Sequence, residues 1–188
     1  MKKITILITV IMLSIPVLVD AQSRFISRSG HINFFSTTPA EDISADNFNV
    51  TSTINTETGE VMYTVPMQSF EFEKSLMQRH FNQRRFLNTR NYPHARFQGK
   101  IINFDEIDFD TNGVYDAVIE GQMTIRGETQ NIKETGTVTV EGDKVTAMSK
   151  FGVRLEDYGI TFSRGRPASN IADVVQVTVN TEYLVDHD

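Results

Sequence analysis

The sequence predicts an all-β chain with one main helix, its strands closing into an antiparallel barrel of about eight strands. Three observations predict it. Runs rich in Val, Ile, Thr, Phe and Tyr recur along the chain, separated by Gly, Asn and Asp. Several runs alternate with period two. Val175, Val177, Val179 and Tyr183 oppose Gln176, Thr178, Asn180 and Glu182, and Ala117, Ile119, Gly121, Met123 and Ile125 oppose Asp116, Glu120, Gln122, Thr124 and Arg126. Such strands have one apolar and one wet face, as antiparallel sheets do. Glu57-Thr58-Gly59, Arg126-Gly127-Glu128 and Glu141-Gly142-Asp143 fit hairpin turns between neighbours. Eight or nine strands leave exposed edges unless the sheet closes, and a barrel of about eight can hold one small ligand. The alternative, a sandwich, fills itself with side chains.

Taken in order, residues 1–21 have the form of a secretory signal. Met1-Lys2-Lys3 is a short positive start, Ile4 to Val19 is almost wholly apolar with Pro16 near its end, and Val19-Asp20-Ala21 offers a cleavage site. An apolar stretch of 16 residues broken by proline falls short of the roughly 20 that span a bilayer. A cleaved signal is therefore expected, with a mature chain of residues 22–188 as one domain in the periplasm or outside the cell. The strands expected next are Arg24–Ser27, His31–Thr37, Asn47–Ile54, Glu60–Met67, Ala95–Phe104, Val114–Ile125, Thr129–Val140, Lys144–Leu155 and Ala172–Leu184. One helix interrupts them from Phe72 to Arg85. Phe72, Leu76 and His80 recur at every fourth residue, Glu73 sits near its start, and Arg84 and Arg85 sit near its end, which suits the helix dipole. Thr38 with Pro39 is expected to cap a second short helical turn.

Composition excludes several functions. The chain has no cysteine, so disulfide, thiolate and N-terminal lipid chemistry are ruled out. Removing Lys2, Lys3 and Asp20 leaves 16 basic against 23 acidic residues, a balance of −7, which argues against nucleic acid as a partner. Against that acidity, Lys74 to Lys100 holds seven basic residues and no acid, interleaved with Leu76, Met77, Phe81, Phe86, Leu87, Tyr92 and Phe97. Such a surface suits an amphiphile, with an anionic head on the basic groups and an apolar tail on the rings. A solvated helix face explains the charge equally.

No cofactor is expected, and no catalytic signature appears. His31, His80, His94 and His187 have no ligand spacing for a metal. His31 falls in an alternating strand as a candidate polar group inside the barrel, and His80 lies on the apolar side of the helix. No GxSxG or SxxK surrounds a serine. Asp105, Glu106, Asp108 and Asp110 lack the order of a calcium loop and read as a solvated strand end.

Four stretches together resemble the YceI-like family. His80-Phe81-Asn82-Gln83, Phe86-Leu87-Asn88-Thr89, Tyr92-Pro93 and Phe97 resemble its HL…S…F…YP…F signature. Met123-Thr124-Ile125-Arg126-Gly127-Glu128-Thr129 resembles its LTIRGVT strand and turn, Arg154 to Ile160 its R.DFGI element, and Asp173 to Val177 its closing D.V.V strand. Asn88-Thr89 stands where the family usually has an acidic-hydrophobic pair. The resemblance implies a lipocalin-like barrel with a helix beside its mouth. It also implies an exported protein that holds a polyisoprenoid, quinone-like or fatty-acyl chain and carries no catalytic triad.

The function expected is thus transport, storage or sequestration of a long-chain lipid. The alternatives are a ligand-free interaction barrel and a hydrolase using His80 or His94. Candidate tail contacts are Phe34, Phe72, Leu76, Phe81 and Phe86, then Tyr92 and Phe97, then Ile119, Met123, Phe151, Val153 and Tyr183. Candidate head-group contacts are Arg79, Arg84, Arg90, Arg96 and His80, arginine being apt because its planar fork grips phosphate or carboxylate in two bonds. Transient membrane contact and a homodimer are compatible with this reading. N-terminal sequencing of exported protein is expected to return Gln22 as the first residue; Lys2 and Lys3 retained in a membrane fraction would make it an anchored protein instead.

Overall fold

A ring of eight antiparallel strands forms the body of the protein. The computed structural model describes residues 24–161 and 170–184; the expected signal segment 1–21, Gln22 and His187 lie outside them. The strands are β1 (Arg24–Thr37), β2 (Asp42–Asn55), β3 (Glu60–Pro66), β4 (Glu71–Phe72), β5 (His94–Ile101), β6 (Gly113–Ile125), β7 (Glu128–Glu141), β8 (Lys144–Arg154) and β9 (Val174–Leu184), with one α-helix, α1 (Ser75–Asn82), among the described residues. Around the ring the order is β1-β9-β8-β7-β6-β5-β3-β2, and β2 bonds back to β1. The short β4 pairs with Ala45 and Asp46 of β2. The closed barrel is therefore as predicted, and the sandwich is not formed.

Four boundaries differ from expectation. β1 runs unbroken where two strands were expected, because the ladder to β2 absorbs residues 28–31 as register shifts around Gly30. β2 starts at Asp42, so the residues expected as a second helical turn are the hairpin connection between β1 and β2. Thr38 does cap it: its Oγ1 accepts the N–H groups of Ala40 at 3.3 Å and Glu41 at 3.2 Å. The turn closes instead of propagating because Thr37 and Asp42 are already ladder partners. α1 is shorter than Phe72–Arg85 at both ends. Phe72 bonds to β2, and after Asn82 the chain folds back, with Leu87 N–H donating to the Phe81 carbonyl at 3.2 Å. Finally, the 105–110 acids lie beyond the strand end at Ile101, in a 3-10 turn (Phe104–Glu106) and the loop that follows it. Asp108 accepts bonds there from Asp110 N–H at 2.9 Å and the Thr111 hydroxyl at 2.8 Å. Those bonds lower the Asp108 pKa, the Thr111 hydroxyl contributing most.

Turn chemistry sets the hairpins. Arg126 and Gly127 both have positive φ, 53° and 86°, the two-residue geometry whose twist matches its flanking strands. The Tyr92 ring lies against Gly127 where a Cβ would project.

The interior divides into two layers. Call the end holding the β1–β2 turn the upper end. In the lower half Ile54, Val61, Ile101, Val138, Val140, Val145 and Tyr183 pack into a solid core. Above it, Ile32, Val65, Phe70, Phe81, Val153 and Val175 belong to a second cluster that α1 caps. Tyr63 and Met123 pack against both. The predicted alternation holds in β8 and β9: Val153 and Val175 are buried while Arg154 and Gln176 are exposed.

Gly99 and Gly121 face each other across β5 and β6 at inward positions. A Cβ on Gly121 would overlap the Gln98 carbonyl and the Gly99 Cα, and one on Gly99 would strike the Phe97 ring. Gly121→Val is therefore expected to destabilise the barrel by about 1–3 kcal/mol through overpacking. Thermal melting followed by circular dichroism checks this, and an unchanged Tm would mean that the β5–β6 wall yields freely.

Candidate functional site

The upper half of the barrel is not filled by its side chains. A cavity of about 1200 Å³ opens there, walled mainly by apolar groups. Period-two alternation creates it, since each strand turns one face inward and the upper inward positions do not meet in the middle. Tyr63 and Met123 stand where the cavity meets the lower core.

Ten of the twelve expected tail contacts stand on this wall: Phe34, Phe72, Leu76, Phe81, Phe86, Phe97, Ile119, Met123, Phe151 and Val153. Phe81 gathers four of the rings at the mouth. Its centroid lies 5.1 Å from Phe72, 5.4 Å from Phe70, 5.7 Å from Phe34 and 5.8 Å from Phe86. These separations favour ring pairs, and they dock α1 onto the barrel. Leu76, on the same helix, is 52% exposed.

Tyr92 and Tyr183 lie elsewhere. Tyr92 covers the β6–β7 turn from outside and is partly exposed. Tyr183 is fully buried in the lower core, its hydroxyl 2.5 Å from Ser52 and 3.2 Å from Tyr63. Burial first, then the neighbouring Tyr63, pushes the Tyr183 phenol well up, so it stays protonated. Parity placed Tyr183 on the correct face, but depth along the strand separates the filled floor from the open cavity above.

The basic groups divide similarly. Arg96 and His80 lie on the cavity lining, whereas Arg79, Arg84 and Arg90 are exposed away from it. Arg96 alternates outward on β5, between inward Ala95 and Phe97. Lys74 and Arg85, not among the expected contacts, do line the mouth. Met67, Phe70, Ile160, Ile171, Val175 and Val177 also line the cavity. The valines were legible as an inward face. The others come from turns, which have no periodicity to read.

Across the mouth runs a polar clip. Lys74 Nζ lies 2.9 Å from Glu41 Oε1, and Asn170 Nδ2 donates to Glu41 Oε2 at 3.2 Å. It joins the β1–β2 turn, the entry to α1 and the segment before β9. Beside it Ser36 Oγ accepts Ala172 N–H at 2.9 Å. The bond from Lys74, with help from Asn170, holds the Glu41 carboxyl below its usual value against the opposing effect of burial. The same bond raises Lys74.

Histidine chemistry is not assembled here. The one histidine–carboxylate hydrogen bond among the described residues joins His31 Nε2 to Asp46 at 2.8 Å. His31 stacks on Phe48 at 4.5 Å, and Phe48 is 54% exposed. His31 thus faces outward rather than into the barrel, because the register shift at Gly30 leaves Ile32 pointing in.

The family model described as YceI-like domain matches residues 18–183. A polyisoprenoid binding domain from Saccharophagus degradans, implicated in plant cell wall breakdown, aligns with TM-score 0.73 at 11% identity, covering 88% of this chain and 99% of its own. Burkholderia cenocepacia BcnA aligns with TM-score 0.67 at 15% identity, covering 81% of this chain and 95% of its own. The Campylobacter jejuni YCEI protein aligns with TM-score 0.55 at 15% identity over 100% of both chains. At these identities the likeness is one of fold. No curated protein matches.

The clip carries a pH dependence. Because Glu41 is depressed, its contribution is present above the unfolded carboxylate pKa, about 4.3, and is lost as pH falls through the lower folded value. Glu41→Gln is therefore expected to melt below the wild type at neutral pH and to converge with it in acid. Paired melts at neutral and acidic pH check this; equal Tm at neutral pH would show that the clip contributes nothing.

Proposed function

The chain belongs to the YceI-like family, and on that footing we propose that it is an exported lipid carrier. It holds the apolar part of a long-chain amphiphile, isoprenoid-like, quinone-like or fatty-acyl, inside the barrel, for transport, storage or sequestration. The observation that carries this reading is the apolar cavity of about 1200 Å³ above a filled floor. Small-molecule pockets run about 300–1,000 Å³, so this one suits a chain longer than a drug-sized ligand. Burial of that chain supplies the affinity, about 0.8 kcal/mol per CH₂. A polyisoprenoid binding domain among the related folds supports the same ligand class.

The mouth would take the polar head. Arg85 and His80 border it beside the Lys74–Glu41 pair, so an anionic or strongly accepting head is favoured there. Half-exposed Leu76, with Arg79 on the same side of α1, supports transient contact with a membrane surface during loading. Residues 1–21 support export to the periplasm or beyond, with residues 22–188 as the mature single domain. A barrel without ligand is disfavoured by the unfilled volume, and a hydrolase on His80 or His94 by the His–carboxylate bond among the described residues falling to His31 and Asp46 instead.

Native mass spectrometry of the exported protein, followed by solvent extraction, tests the carrier reading. A bound isoprenoid or acyl mass is the expected result. Phe151→Arg puts a charge on the cavity wall and is expected to weaken binding of a fluorescent polyene fatty acid by at least about 100-fold, since an unpaired buried charge costs several kcal/mol. Wild-type protein that carries no lipid and takes up none of the probe would return the function to a ligand-free interaction barrel.

A further inference from the structure

The barrel wall is split in one place. β7 and β8 pair only from Gly136↔Ser149 down to Glu141↔Lys144. Above that point both strands continue, and each remains bonded on its other edge: β7 to β6 as far as Glu128↔Ile125, and β8 to β9 as far as Arg154↔Val174. The Ser149 hydroxyl donates to the Thr135 carbonyl at 2.7 Å and seals the end of the ladder. The pairing of β2 with β3 is also short, but there the Met67–Phe72 segment fills the space, with β4 on β2 and Asn47 Nδ2 donating to the Pro66 carbonyl at 2.9 Å. The β7–β8 split is spanned at its top by side chains: Gln130 Nε2 donates to the Asp157 carbonyl at 2.6 Å, and Arg126 Nη1 donates to the Gly159 carbonyl.

A second cavity of about 310 Å³ occupies the split. It shares four wall residues with the main cavity: Met123, Ile132, Phe151 and Val153. Its other walls differ in character, with Gln130, Asn131, Glu134, Arg154 and Asp157 among them. Glu134 sits at an inward position of β7, in step with Ile132, Gly136 and Val138. Continued in register, the ladder would set its carboxylate opposite the Phe151 ring. Splaying the strands spares that carboxylate full burial, which would cost several kcal/mol. Burial still raises the Glu134 pKa.

We propose that the split between the upper halves of β7 and β8 is a second, polar outlet of the lipid cavity, which seats a neutral hydrogen-bond-donating group, a hydroxyl, carried by an otherwise apolar ligand. The inference rests on the carrier reading and adds to it a polarity. The mouth, bordered by Arg85 and His80 beside the Lys74–Glu41 pair, takes an anionic or accepting head. The slot presents the Glu134 carboxylate, an acceptor that repels a second anion and welcomes an O–H donor. A ligand with two polar regions separated by a chain fits both.

The test uses hexadecanoate and its 16-hydroxy analogue, with shorter and longer members of both series so that reach is sampled. Affinities of the full-length mature protein are measured by displacement of a fluorescent fatty acid. The wild type is expected to favour the hydroxylated member at one chain length. Glu134→Ala is expected to lower that preference about tenfold, the effect of losing a hydrogen bond to a charged group, while affinity for the plain acid holds or rises. Glu134→Gln keeps an acceptor oxygen and is expected to lose less, which gives a second variant should the alanine form fold poorly. A wild type that binds plain acids but shows no preference at any length, or a preference that survives both substitutions, overturns the slot and leaves the carrier reading standing. A wild type that binds neither series overturns both.

Discussion

Closure of the sheet through β1 is the constraint on which the rest of the structure depends. β1 bonds β2 on one edge and β9 on the other, so each long strand among the described residues has two neighbours, and the edges left open lie along the split between the upper halves of β7 and β8. A ring of about eight strands encloses a fixed volume, which side chains can fill or leave open. Here they do both. Val138, Val140, Val145 and Tyr183 fill the lower half, while the upper half is left to a ligand-sized space.

Polar groups sit where that division needs them. At the floor, the hydroxyls of Ser52, Tyr183 and Tyr63 hydrogen-bond to one another. At the rim, Glu41 draws Lys74 and Asn170 together over the mouth. Between the two, aromatic rings do the sealing. Phe81 holds α1 to Phe34, Phe70, Phe72 and Phe86 by ring contacts, not by ladder bonds. The helix body is thus attached mainly by ring packing, with the Lys74–Glu41 bond at its entry, whereas the barrel beneath it is tied by ladder hydrogen bonds.

The strands, their faces and the hairpins were legible in the sequence because period-two alternation and turn residues are local signals. Val175 and Phe151 could be assigned inward positions without coordinates. Depth along a strand is not local. Tyr183 and Val175 share a face of β9, yet one lies in the filled floor and the other on the cavity wall. The long β1 was hidden by a bulge at Gly30, where polar and apolar positions slip by one. The helix was overestimated because Phe72 and Leu76 keep helical spacing although Phe72 belongs to a strand. Charge was the least informative signal. Of the four candidate arginines only Arg96 touches the cavity lining, because long cationic side chains find water wherever the backbone permits it.

The ladder between β1 and β9 joins His31 to Asn180, residues near opposite ends of the described chain. Hairpins can form early, since their partners are close in sequence. The ring itself cannot close until the final strand exists, and loop-closure entropy must be met before that last ladder forms. Such non-local pairing places the protein among slow folders, on the scale of milliseconds to seconds. During that interval both the β1 and β8 edges stand open to intermolecular pairing. The same ladder that protects the finished barrel therefore leaves the half-made chain dependent on whatever shields it until its last strand arrives.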